Sequence, residues 1–189
     1  MPKGIFKVPE PVNERVRDYA PGTRERADLQ EEIDRLRSQV MDIPMVIGGK
    51  EVRTDNKVSI HPPHERKHLL GHYHKGDASH VQMAIKAAME AKEKWAALGW
   101  EHRASIFLKA ADLIAGPYGD TVNAATMLAQ SKNVMQAEID SACEMADFLR
   151  FNVKYMTDIY EQQPISSEGI WNRVEQRPLE GFVFALTPF

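Results

Sequence analysis

The sequence predicts an α/β chain in which a series of helices leads into a buried parallel strand. Apolar residues recur at helical spacing through most of residues 78–160, and a Gly48-Gly49 pair separates two short strand-like runs. Phe182-Val183-Phe184-Ala185-Leu186 is a continuous apolar stretch, introduced by Gly181 and broken by Pro188, as in a strand covered on both faces of a parallel sheet.

In chain order, residues 1–22 carry Pro2, Pro9, Pro11 and Pro21 among charged side chains, which suits an extended arm lying on another surface. Thr23 then offers a cap, and Leu29, Ile33, Leu36 and Val40 recur among Glu, Asp and Arg. This pattern predicts a surface helix over 23–43 with one narrow apolar stripe, stopped by Pro44. Residues 44–76 read as strands: a hairpin over Met45–Val52, then Val58–Ile60 and Leu69–Tyr73 on either side of Pro62-Pro63, together a small antiparallel sheet.

Asp77 or Ser79 can cap the next helix, whose apolar residues Val81, Ile85, Ala88, Met89, Trp95 and Leu98 run up to Gly99. Ile106 to Ile114 forms another helix closed by Gly116-Pro117, Ala124–Ala129 a short one, and Val134–Tyr160 the longest. The last mixes two apolar stripes and is expected to be buried on more than one side. Beyond Pro164, Trp171–Gln176 alternates at period two, and the Phe182 strand follows. A parallel strand needs neighbours, yet the sequence stops three residues after Leu186. The expected reading is an incomplete sheet domain.

Composition narrows the function. The 189 residues are 43% hydrophobic and 27% charged, ordinary for a folded protein, and the net charge of −3 is spread with both signs interspersed. No basic stripe suits a phosphate backbone and no apolar run approaches the roughly 20 residues of a membrane span, so neither nucleic acid nor membrane is an expected partner. Cys143 is the sole cysteine, and nothing argues for an oxidising compartment; a cytoplasmic location is expected.

Several constellations invite a chemical reading. Cys143 could be a nucleophile, but its stretch, Ile139–Ala146, has no glycine and no strained turn to lower a thiol pKa, so a buried structural thiol is expected. His61, His64, His68, His72, His74 and His80 crowd into twenty residues, yet Pro62-Pro63 and the strand-like Leu69-Leu70 disfavour the helix on which His64 and His68 would converge, and no metal is expected. Glu138 with Asp140, and Glu31, Glu32 and Asp34, read as solvated charge. Glu144 differs because it sits on the most apolar helix, where a carboxylate is costly without a local reason. Phosphate-cradling loops, Ser-His-Asp motifs and Cys-x-x-Cys pairs are absent from the sequence.

The order of elements resembles the amino-terminal portion of the aldehyde dehydrogenase superfamily, in the family that oxidises glutamate semialdehyde, the open form of pyrroline-5-carboxylate. The resemblance covers essentially the whole chain. It rests on Tyr19-Ala20-Pro21-Gly22-Thr23, Pro44–Lys50, Gln136-Ala137-Glu138-Ile139-Asp140, Phe148–Asn152, Gln162–Ser166 and Leu179–Phe189. It implies a Rossmann-type NAD-binding domain, a catalytic domain and a protruding hairpin for homo-oligomerisation. It further implies oxidation of glutamate semialdehyde to glutamate with NAD, in proline breakdown, through a cysteine nucleophile.

Residue by residue, the resemblance assigns Leu186, Thr187, Pro188 and Phe189 to the cofactor-side strand end and Glu144 to the aldehyde substrate pocket. In the family an oxyanion-holding asparagine follows the Pro-Phe that matches Pro188-Phe189, and the nucleophilic cysteine and general-base glutamate lie further along. None of these motifs is present, so no catalytic residue is assigned and the chain alone is expected to be inactive. Residues 77–189 then read as the helices and first strand of an incomplete NAD-binding domain. A stand-alone module that modulates assembly of a full-length homologue is the alternative, and a histidine-rich metal-binding domain a third.

Overall fold

The structure, a computed structural model, describes residues 4–187. Residues 4–20 form neither helix nor strand. They lie along the helices that follow, and Tyr19 is buried in the central apolar cluster.

Helix α1 spans Arg24–Arg37 and buries Leu29 and Leu36 against Tyr19, Ala124 and Leu128, with Ile33 packed at the edge. It stops at Arg37 rather than at Pro44. Val40 is 62% exposed and plays no part in the stripe. The intervening residues are claimed by a long-range pairing: β1, Met41–Ile43, runs parallel to β5, Gly71–His74, in register Met41↔Gly71. Strand β4, Lys57–Ile60, completes that sheet antiparallel to β5, so the sheet is mixed, order β1-β5-β4, where the local pattern predicts an antiparallel one. A separate hairpin pairs β2, Met45–Ile47, with β3, Lys50–Val52. Its two turn residues, Gly48 and Gly49, have φ of +59° and +75°, the mirror-image turn that matches strand twist.

Asp77, not Ser79, caps α2, Ala78–Ala97: its carboxylate accepts from the Ser79 and His80 amides. These bonds hold the Asp77 pKa well below the carboxylate range, the Ser79 hydroxyl contributing most. Helix α3 spans Trp100–Ala115 and α4 spans Gly119–Gln130, longer than the expected Ala124–Ala129. Ser131, at φ +59°, ends α4 in left-handed conformation. The long final stretch is α5, Val134–Ala137, one π-helical turn over Glu138–Cys143, and α6, Glu144–Glu161. Helix α3 packs along α6 and α1 along α4. The buried residues of α3 are Ala104 and Ala111, and those of α6 include Ala146 and Val153; such small side chains allow close helix approach.

Beyond Glu161 the prediction of strands fails. Residues 171–187 contain no strand, and the one bridge in the region joins Ser167 to Ile170. Val183, Phe184 and Leu186 are 75%, 78% and 85% exposed. A strand is defined by a ladder of hydrogen bonds to a neighbouring strand, and among the described residues no strand pairs with this segment, whose bonds at Asn172 and Val174 go to the side chains of Ser166 and Gln163. The chain exposes 14093 Å² of surface, against roughly 9,000 Å² expected for a compact monomer of its mass of 21.4 kDa.

Candidate functional site

A grouping of polar and aromatic side chains lies where the arm crosses the start of α6. Asp147 accepts from Asn13 Nδ2 at 2.7 Å and from the Glu14 amide at 2.6 Å, and Arg150 Nη1 reaches Glu14 Oε2 at 2.7 Å. These contacts hold the arm as one wall of a cleft of about 540 Å³. The opposite wall is the outer face of the π-turn and α6: Ile139, Cys143, Glu144, Phe148, Phe151, Asn152 and Tyr155. Glu144 is exposed on this wall. A carboxylate facing an open, aromatic-lined cleft keeps its hydration, which answers why an apolar helix tolerates it.

Behind the cleft sits a second carboxylate of opposite character. Glu138, expected to be solvated, is 1% exposed. Its Oε2 accepts from the Tyr19 hydroxyl at 2.7 Å and Asn123 Nδ2 at 2.7 Å, and its Oε1 accepts from the Arg17 amide at 2.8 Å. Arg17 Nη2 lies 3.2 Å from Oε2, while its Nη1 pairs with Asp120 at 2.8 Å. Burial works against a charge here, but the Tyr19 hydroxyl and the Arg17 amide and guanidinium outweigh it and hold the Glu138 pKa below its usual value. Local pattern could not reveal this site, because its nitrogen and oxygen donors are 15 to 121 residues away in sequence. The available signal was Tyr19, the one aromatic with a polar tip in a charged, proline-rich arm whose other aromatic is Phe6.

Cys143, 5% exposed, is a buried thiol as the sequence suggests. Its Sγ lies 3.6 Å from Glu138 Oε1 and 3.8 Å from the Arg15 carbonyl. Burial, then the charge of Glu138, push the thiol pKa up to about 12. A thiol so placed is the reverse of an activated nucleophile.

The residues assigned to the cofactor do not join this cleft. Leu186 is 85% exposed and Thr187 is exposed, neither lines the Glu144 cleft, and Pro188 and Phe189 lie outside the described residues. With no strand at 182–186 and no glycine-rich turn against it, the described residues do not form a dinucleotide cradle by themselves. The histidines are dispersed among structural tasks. His74, 4% exposed, accepts from the Thr54 amide at Nδ1 and reaches Asp42 through Nε2 at 3.1 Å. His64 bonds Ser131 Oγ, His61 the His68 carbonyl, and His80 the α2 cap. Among the described residues no three His, Cys, Asp or Glu side chains are grouped to hold a metal, and no helix is long and apolar enough to cross a membrane.

Helical layers with small sheets, and an exposed segment where a central strand was expected, are what one part of a larger α/β fold presents. Residues 51–189 match the aldehyde dehydrogenase family, and the chain belongs to that family. Within it, the chain is 48% identical over 186 residues to delta-1-pyrroline-5-carboxylate dehydrogenase of Agaricus bisporus, covering 97% of this chain and 34% of the relative. The mitochondrial delta-1-pyrroline-5-carboxylate dehydrogenase of Emericella nidulans is 47% identical, with 97% of this chain and 32% of the relative covered. The structure superposes on that of the Mycobacterium tuberculosis delta-pyrroline-5-carboxylate dehydrogenase bound with NAD and cobalamin at TM-score 0.93 and 47% identity, covering 96% of this chain and 34% of that one. The chain spans about a third of the length of these relatives.

Proposed function

We propose that this chain forms the amino-terminal third of an NAD-dependent dehydrogenase that oxidises glutamate semialdehyde to glutamate in proline catabolism. The observation that carries the reading is identity of 47–48% sustained over nearly the whole chain to proteins named for that activity. In this reading Glu144 borders the aldehyde pocket, Leu186, Thr187, Pro188 and Phe189 flank the NAD site, and the cradle closes only against further chain. The excess exposed surface, with its apolar residues from Ile165 to Leu186, is then what the remaining domains and a second subunit of a homo-oligomer cover. The unpaired cysteine fits a reducing compartment, the cytoplasm in our reading.

The 189 residues alone are inactive in this scheme, because Cys143 is buried and its thiol is held protonated by that burial and by the neighbouring Glu138 charge. Purified chain incubated with glutamate semialdehyde and NAD should give no absorbance of reduced nicotinamide, whereas the same residues joined to a full-length partner sequence should. Turnover by the chain alone that disappears on Cys143→Ala would overturn the scheme.

A further inference from the structure

Residues 13–17 have no helix or strand of their own, so side chains seat them. One anchor is the surface cluster of Asp147 and Arg150 on Asn13 and Glu14. The other is Glu138, whose carboxylate receives the Arg17 amide and guanidinium from the arm and the Tyr19 hydroxyl just beyond it. Between the anchors, the Arg15 carbonyl lies over Cys143 Sγ. The π-turn makes this possible: it brings Glu138 and Cys143, five residues apart, within 3.6 Å of each other under the same stretch of arm.

We propose that residues 13–17 are a strap seated by the Glu138 carboxylate, and that neutralising Glu138 lifts the strap locally, uncovering Cys143 and removing the arm wall of the Glu144 cleft. The chemistry of the donor set makes the seat specific. Every neighbour that points at Glu138 is a donor: Arg17, Tyr19, Asn123 Nδ2 and the Cys143 thiol. A glutamine there loses the charge-assisted bonds and turns its own NH₂ against donors. Among the described residues Asp120 on α4 remains as the carboxylate paired with the Arg17 guanidinium. The apolar cluster around Leu29, Leu36 and Leu128 shares only Tyr19 with these bonds, and burial of the Tyr19 ring in that cluster does not require its hydroxyl bond, so the opening is confined to residues 13–17. The inference is independent of which reaction the cleft serves.

The test uses the full protein with Glu138→Gln and, separately, Asp147→Ala at the surface anchor. Maleimide labelling of Cys143 is followed by mass spectrometry of its peptide, alongside amide hydrogen exchange of residues 13–17 and of α3 and α6. Exchange of the strap is needed because removing the carboxylate also eases thiolate formation. Glu138→Gln should raise both Cys143 labelling and strap exchange on the order of tenfold, with α3 and α6 unchanged, and Asp147→Ala should raise both by a smaller factor. Unchanged strap exchange in Glu138→Gln, or equal loss of protection in α3 and α6, overturns the proposal. If Glu138→Gln fails to fold, Asp147→Ala decides: faster strap exchange supports the strap, and no change refutes it.

Discussion

Replacing Gly71 by alanine tests a non-local feature of the fold, the parallel pairing of β1 with β5. A Cβ built at Gly71 falls 2.4 Å from the Met41 carbonyl oxygen and 3.0 Å from the Met41 carbonyl carbon and Cβ. Those are backbone or near-backbone atoms roughly 1 Å inside van der Waals contact, so β1 has to retreat as a unit. Retreat strains the Met41 amide bond to the Leu70 carbonyl, 3.0 Å long, and the ladder from Met41 to Ile43. It also draws Asp42 away from Lys57, Arg53 and His74.

The first two of these pairs are exposed and contribute little, whereas the His74 ring is buried and would lose its partner at Nε2. Ladder bonds at about 1 kcal/mol each, with about 1 kcal/mol or more for the stranded imidazole, give a loss of about 2–4 kcal/mol. Urea denaturation followed by circular dichroism measures it. Gly4→Ala is the control, since nothing lies within 4 Å of a Cβ there. A Gly71→Ala variant within about 0.5 kcal/mol of the parent would show that β1 is not held by close backbone approach.

Three further outcomes are expected. Burial and the Glu138 charge raise the Cys143 pKa from 9.0 to about 12, and burial with the bond to Glu138 also raises that of Tyr19. Both groups therefore keep protons in the folded chain that the unfolded chain releases, so stability present below about pH 9 declines as pH rises towards 12; Cys143→Ala should flatten this decline in a pH series of melting temperatures. Glu32, bonded by Arg35 and, against a desolvation cost, by Thr121 of α4, has its pKa lowered from 4.5 to about 2, so its contribution is present above pH 4.5 and is lost as pH falls through about 2; Glu32→Gln should cost about 1 kcal/mol at pH 7 and little at pH 2, and equal effects at both would refute the assignment. Finally, sedimentation of the 189-residue chain should show concentration-dependent self-association that weakens in a Val183→Lys, Phe184→Lys variant, and a monodisperse parent would count against the apolar tail as its cause.

What was legible in the sequence is local. The Gly48-Gly49 turn, the Asp77 cap and the helices from α2 to α6 follow from residues within a few positions of one another, where backbone conformation, capping and apolar period act directly. Family membership was also legible, because it rests on the linear order of motifs. The candidate cleft was not legible as a whole: Glu144 lines it, but the arm that forms the other wall reaches it across more than a hundred residues.

Tertiary structure alone decided the rest, each time because a distant partner changed the local balance. Met41–Ile43 leave the helical pattern because β5 supplies a ladder thirty residues on. Glu138 turns from a solvated charge into the seat of the arm because Arg17, Tyr19 and Asn123 converge on it and outweigh the cost of burial. Phe182–Leu186 has the composition of a central strand, and composition expresses only the preference to be covered; hydrogen bonds from neighbouring strands turn that preference into structure, and the described residues supply none.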